Sequence, residues 1–334
     1  VAPPRILLVR FSSLGDVLLT TPLIRVLRAR HPAATLTALT KQEWAPLLSA
    51  NPHLDEVITI ARGQSLVPLA RAIRAADFTH RLDLHASVRS RMLRLLVPGT
   101  WQGFDPRRRE RTALIRGREN RYRDHLPVPE RYFEAARALD VQPDDKPAEL
   151  FVSPAAEARA EEWLTRHDLS GELVACAPGA AHATKRWPTD RWHELLTALT
   201  ALGRVPIIIG GPAERELGRQ LVKAVEGRAA SAAGELDLQA TGALLQRTRV
   251  LVSGDTGAMH MATAVGTPVV ALFGPTVEAF GFFPYHAAAS VIQREMPCRP
   301  CSSKGSPRCP LGHHRCMTEI QGDQVLEAIE RFIG

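Results

Sequence analysis

Short continuous apolar runs alternate along the chain with stretches in which apolar residues recur every three or four positions. The short runs fit strands buried on both faces, and the longer period fits helices that cover them. On that reading residues 6–9 form a first strand, followed by a helix carrying Leu14, Val17, Leu18, Thr21, Ile24 and Leu27. Pro22 falls inside this helical pattern and predicts a kink or an early interruption. Strands follow at residues 35–39, 57–60 and 79–84, with a short helix at 44–49 and a longer one at 66–75. Helices are expected again at 132–139 and from about 155 to 166, after which the alternation restarts. Its strands are at 173–176, 205–209, 250–252 and 269–273, and its helices at 192–199, 214–225, 258–265 and 323–332. Regular βα alternation implies parallel sheets with helices on both faces.

The pattern pauses over residues 126–154, a Pro-rich, charged stretch containing VQPDDKPAEL, which is the expected domain boundary. The length of 334 residues suits two domains of about 150 residues each. Ligands of open α/β sheets bind beyond the carboxyl ends of the strands. The turns that leave each strand are therefore the places to look for chemistry.

The segment Val250 to Thr276 is the strongest such signal. A strand runs into Ser253-Gly254-Asp255-Thr256-Gly257, and a helix starts at once. Free N–H groups at that helix start would receive a phosphate oxygen, with Thr256 adding a hydroxyl, Gly257 allowing close approach and His260 one turn further on. The alternative is that Asp255 or Thr256 caps the helix and His260 packs in the core. A second signal is Pro178-Gly179-Ala180 and then Thr184-Lys185-Arg186-Trp187-Pro188. Lys185 and Arg186 at a strand end suit a diphosphate; alternatively Trp187 docks the loop and leaves both cations solvated. Neither GxxxxGK[ST] nor GxGxxG occurs, which argues against a P-loop ATPase or a dinucleotide dehydrogenase.

A third signal is Arg10-Phe11-Ser12-Ser13-Leu14-Gly15-Asp16 at the first strand-to-helix turn. Asp16 there can take a proton from an attacking hydroxyl, or it can simply pair with the helix dipole. His85 at the end of its strand is either a second group of the same cleft or a surface histidine.

Charge and cysteine content change the picture only locally. The formal charge is +7, and the stretch Arg107 to Arg123 has eight arginines against two acids. That favours an anionic partner. Aromatics make up only 5% of residues, with no aromatic-interleaved basic stripe, so nucleic-acid binding is not expected. Cys298, Cys301, Cys309 and Cys316 have spacing compatible with a zinc or iron site, but a loop with free thiols or a local pair is the preferred reading. Cys176 reads as a small core residue. No run approaches the roughly 20 apolar residues of a spanning helix, and VAPPRILLVR lacks an export signal's features. The expected setting is cytoplasmic.

Four segments together carry a resemblance: ILLVRFSSLGDVLLTTPLIRVLRARHP, PGAAHATKRWP, SGDTGAMHMATAVGTPVVALFGPT and CRPCSSKGSPRCPLGHHRCM. In this order, across nearly the whole chain, they resemble glycosyltransferase family 9, the bacterial lipopolysaccharide heptosyltransferases. The cysteine region is most similar to the heptosyltransferase II branch, although SSKGSP between Cys301 and Cys309 looks longer than the common pattern, which weakens the metal reading further. The resemblance implies an α/β GT-B fold, two Rossmann-like domains facing an interdomain cleft. Residues 1–154 would bind the acceptor, 155–316 would bind the nucleotide sugar, and 317–334 would be a helix crossing back to the first domain.

By the same resemblance, Asp16 matches the family's proposed general base and Lys185 its phosphate-contacting lysine. Asp255, Thr256 and Gly257 match the loop around the donor diphosphate, with His260 close by; Ser13, Gly15 and Thr184 join the donor-binding set. The implied reaction is inverting transfer of L-glycero-D-manno-heptose from ADP-heptose to the lipopolysaccharide inner core, with no cofactor required. Its partners would be the ADP-sugar, a lipid A–Kdo or heptosylated core acceptor, and the anionic inner face of the inner membrane. The arginine-dense stretch has no residue-by-residue match in the family; lying in the expected acceptor domain, it either contacts lipid A or core phosphates or the anionic inner leaflet, or is an ordinary solvated arginine surface.

Overall fold

A computed structural model of the chain describes residues 2–226 and 229–333. It divides into two compact units, one of Val1–Arg108 and Leu126–Phe151, the other of Arg109–His125 and Val152–Gly334.

In the first unit the order is β1 (Arg5–Val9), α1 (Leu14–Leu18), α2 (Thr21–Arg30), β2 (Thr35–Lys41), β3 (Glu56–Ile60), α3 (Leu66–Ala75), β4 (His80–Asp83), α4 (Val88–Leu96) and β5 (Gln102–Gly103). Then come α5 (Arg108–Gly117), most of which belongs to the second unit, and α6 (Val128–Tyr132). The strands lie parallel in the order β3-β2-β1-β4-β5. Pro22 produces the interruption its position predicts: α1 stops at Leu18, and Pro22 sits in the first turn of α2, where its missing N–H costs nothing. Residues 44–49 correspond to a 3₁₀ turn over Gln42–Leu47. Residues 132–139 follow α6 as a 3₁₀ stretch, Phe133–Leu139. One face of the sheet is sealed by α3 and α4, whose Leu66, Leu69, Ile73 and Leu93, with Val97 just after α4, pack on Leu7, Val9, Leu39 and Ile60.

The second unit runs α7 (Pro154–Arg166), β6 (Leu173–Ala177), α8 (Thr189–Ala201), β7 (Val205–Ile208), α9 (Arg215–Lys223), β8 (Ala230–Ser231), α10 (Leu238–Gln246), β9 (Val250–Gly254), α11 (Gly257–Ala264), β10 (Val269–Phe273), β11 (Ala289–Gln293), α12 (Arg315–Thr318) and α13 (Gly322–Ile333). Its parallel sheet has the order β11-β10-β9-β6-β7-β8. Every residue of β6, β9 and β10 is buried, which is why LVACA, VVALF and the VLV of β9 read as unbroken apolar runs. Both sheets have the doubly wound, Rossmann-like order, with the reversal between β1 and β4 in one and between β6 and β9 in the other.

The closing helix α13 packs on its own unit's α8, β9 and β10, burying Val325, Ala328 and Ile329. Its apolar side fills the core behind Val252, Val270 and Leu196, so its burial is satisfied there. The arginine-dense stretch likewise joins the second unit: Arg111 stacks 5.4 Å over Phe280, and Arg118 donates to the Pro300 carbonyl. No helix among the described residues is long and apolar enough to cross a membrane.

Candidate active site

The order reversal in the second sheet sets the loops leaving β6 and β9 side by side. From β6 the chain passes Pro178-Gly179 to a 3₁₀ turn, Ala183–Lys185. The Lys185 ammonium reaches across to the β9 loop. It lies 2.6 Å from Asp255 Oδ2 and donates to the Asp255 carbonyl at 3.0 Å. Asp255 also accepts from Thr276 Oγ1 at 2.7 Å. Held by both partners, the Asp255 carboxylate fixes where the ammonium stands and does not itself offer a donor to an anion. Gly254 makes the close crossing possible, since a Cβ there would sit 2.8 Å from the Lys185 carbonyl oxygen.

Thr256 occupies the N-cap position of α11, yet its side chain does not cap the helix; its hydroxyl pairs with Ser253 Oγ at 3.0 Å. The helix start at Gly257 therefore lacks the side-chain cap of the simpler reading, and it opens beside a fixed lysine. An uncapped helix N-terminus next to a cation is a site for phosphate. His260 is buried, its ring edge-on to Phe282 at 6.5 Å, so it supports the loop from within. Thr184 is turned inward as well. Its hydroxyl and N–H donate to the Ser306 carbonyl at 3.0 and 3.2 Å, the hydroxyl accepts from Ser306 N–H at 2.8 Å, and its carbonyl meets His314 Nε2 at 3.0 Å. Its role is to anchor the Lys185 turn. The SSKGSP segment thus buttresses that turn. Trp187 is buried and donates to the Ile320 carbonyl, docking the loop as its alternative reading had it.

The four clustered cysteines are free thiols, as is Cys176. Cys298 Sγ lies 3.9 Å from His313 Nε2, whereas Cys316 is buried in the core around α13. Burial raises the Cys316 thiol to about 11, and the neighbouring Cys301 adds to the rise. Among the described residues, the grouping of three or more potential metal-ligand side chains includes none of these cysteines. Cys176 lies in β6 with no exposed surface, and burial pushes its thiol upward.

In the first unit the reversal sets the end of β1 beside the end of β4. Arg10 ties the two, donating to the Leu84 carbonyl at 2.6 Å and pairing with Asp16 Oδ1 at 2.5 Å. Asp16 Oδ2 accepts from the Ser13 hydroxyl at 2.8 Å and from its N–H at 3.1 Å. The carboxylate thus caps α1 and pairs with a cation at once. Burial opposes its ionisation, but Arg10 and the Ser13 donors outweigh that and hold Asp16 below the usual carboxylate range. Gly15 is buried in α1. Asp83 turns the chain out of β4 by accepting from the N–H groups of His85 and Ala86 and from Ser90 Oγ. That turn brings the His85 ring edge-on to Phe11 at 5.5 Å.

Burial and the Arg10 charge lower His85 to about 4, against the partial opposition of Asp16 and Asp83. From pH 6.5 down to 4 the unfolded chain takes up a proton at this histidine that the folded chain refuses. Stability is therefore lost as pH falls through that window, by at most about 3 kcal/mol. Denaturant unfolding at pH 7 and pH 4.5 checks this, with His85→Gln expected to lose less stability than the parent chain.

Sequence reasoning assigned no role to Arg10, Thr276, Ser306 or Glu214. Glu214 follows β7, accepts from Gly211 N–H at 2.9 Å, and overlies Gly179 so closely that a Cβ there would strike it. An acidic group just after the second strand of a doubly wound sheet was the available signal.

Two Rossmann-like units, each with its polar cluster at the reversal of strand order, define a two-domain α/β enzyme of the GT-B kind. The chain belongs to glycosyltransferase family 9 (heptosyltransferase), whose sequence model matches residues 66–311. It is 26% identical over 352 residues to lipopolysaccharide heptosyltransferase 2 of Salmonella typhimurium, spanning 99% of both chains. Over 338 residues it is 27% identical to lipopolysaccharide heptosyltransferase 1 of Pseudomonas aeruginosa, covering 96% of this chain and 93% of that one. The solved structure of E. coli ADP-heptose LPS heptosyltransferase II shares the fold with a TM-score of 0.75 at 24% identity, covering 98% of both chains.

Proposed function

We propose that this glycosyltransferase moves L-glycero-D-manno-heptose from ADP-heptose to the inner core of lipopolysaccharide, onto the Kdo or the first heptose of a lipid A-linked acceptor. The observation that carries the reading is the Lys185 ammonium, fixed by Asp255 beside the uncapped start of α11 in a chain of this family. Lys185 and the N–H groups around Thr256 and Gly257 hold the donor diphosphate and stabilise the charge that develops on departing ADP. Glu214, at the β7 end, accepts from the ribose hydroxyls. Asp16 on the first unit takes the proton of the acceptor hydroxyl as its oxygen attacks the anomeric carbon. The bond from that carbon to the diphosphate oxygen breaks on the opposite face, so configuration inverts. The acceptor is lipid-borne, which places the enzyme at the anionic inner face of the membrane.

Calorimetric titration of the protein with ADP, UDP and GDP tests the donor half of this reading. ADP is expected to bind at least about tenfold more tightly than the other two, a difference of about 1.4 kcal/mol. Equal binding of all three contradicts an ADP-sugar donor.

A further inference from the structure

Seven large apolar side chains are strongly exposed among the described residues, and four of them lie on two adjacent helices of the first unit. Three are on α4: Val88 at 73%, Met92 at 51% and Leu95 at 83%. Their spacing of four and then three residues puts them on one helix face, opposite the buried Ser90 and Leu93. Val67, 44% exposed, is on the neighbouring α3. Arg91 and Arg94 flank the α4 stripe on one side and Arg89 on the other, while Arg71 and Arg74 project from α3. Residues 62–103 carry seven arginines against Asp77 and Asp83, and Asp83 is buried beneath Ser90. No acidic residue lies on either helix.

We infer that the outer face of α4, with the adjoining edge of α3, docks on an anionic phospholipid bilayer. An apolar stripe bordered by arginines is the arrangement of a helix lying in the plane of a membrane interface, its apolar side chains among the acyl chains and its cations at the phosphates. Charge decides the occupant: a protein partner for this face would need a matching acidic rim, whereas anionic headgroups supply that complement everywhere. The location agrees. The first turn of α4 follows His85, and Arg89 stacks 5.8 Å over Phe11 of the loop that leads to Asp16. Docking along α4 sets the Asp16 loop next to the bilayer surface. The inference deepens the lipid-borne acceptor reading and rests on it for its purpose.

Vesicle flotation of the full chain tests it, with neutral phosphatidylcholine vesicles compared with vesicles containing about 30 mol% phosphatidylglycerol. The parent chain is expected to float with the anionic vesicles only, and less in about 0.5 M salt. The triple variant Val88→Ser, Met92→Ser, Leu95→Ser is expected to lose at least about tenfold in vesicle binding. Arg91→Gln should weaken it too. Val88, Met92, Leu95 and Arg91 are exposed, so unfolding midpoints should be unchanged, as should transfer to a soluble, deacylated acceptor. Undiminished flotation of the triple variant overturns the inference, as does equal binding to neutral vesicles or no binding by the parent chain. A dimer in sedimentation velocity that the triple variant abolishes also overturns it, because the face would then cover a second copy. Flotation needs neither donor nor acceptor: binding without heptosyl transfer would contradict the proposed reaction alone, and transfer without binding this inference alone.

Discussion

Asp16→Asn is expected to fold normally, bind ADP as the parent chain does, and lose about 10²–10⁴-fold in the rate of transfer. The side-chain amide keeps the shape of the carboxylate and can still accept from Ser13, so the entry to α1 should persist. Arg10 retains the Leu84 carbonyl as a partner. What disappears is the only anionic acceptor that this loop presents. A group that acts in the transition state and not on the donor lowers kcat while leaving the donor KM close to its parent value. Because Arg10 and Ser13 hold Asp16 below the usual carboxylate range, the base is already ionised across neutral and mildly acidic pH. The acid limb of kcat/KM that belongs to this group should accordingly lie below the usual carboxylate range. Steady-state kinetics of the two proteins over that range checks both statements. Full activity in the variant would leave Asp16 as a helix-capping carboxylate and nothing more.

Lys185→Met should cut transfer by about 10²–10³-fold, and unlike the Asp16 substitution it should weaken donor binding as well. Methionine keeps much of the lysine stem but removes the charge proposed to meet the diphosphate. It also leaves Asp255 facing the site without its cation, so the loop changes from attracting an anion to repelling one. Both partners are largely buried, at 14% and 9% exposure, and breaking such a pair costs roughly 3–5 kcal/mol of stability. Adding Asp255→Asn removes the uncompensated carboxylate. The double variant should recover stability and part of the ADP affinity, without recovering the parent rate. Calorimetry, thermal unfolding and single-turnover rates on the single and double variants separate these effects. A double variant no better than Lys185→Met in ADP binding would mean that Asp255 does not act through the lysine.

β6, β10 and the first three residues of β9 were legible because parallel strands buried on two faces are apolar runs. α4 was not anticipated, for the opposite reason: Val88, Met92 and Leu95 point outward and blur its inward face. α10 escaped notice although Asp237, accepting from Ala240 N–H, is an N-cap visible in the sequence. The short strands β5 and β8, two residues each, carry no periodicity to read. At the site, Lys185 and Asp255 were each picked out, but their pairing was not, because seventy residues separate them and only the crossover connection brings them together. The resemblance put Thr184 in the donor-binding set, but its pairing with Ser306 was not anticipated. Its Ser306 partner lies in a segment whose sequence suggested only an insertion.

The measurement that bears most directly on the proposed reaction is ADP release by the purified protein given ADP-heptose and, separately, Kdo-lipid A or the same lipid already carrying one heptose, with each product weighed by mass spectrometry. The account predicts ADP release coupled to the gain of one heptose on one of these acceptors. A folded protein that binds ADP yet adds heptose to neither would contradict it.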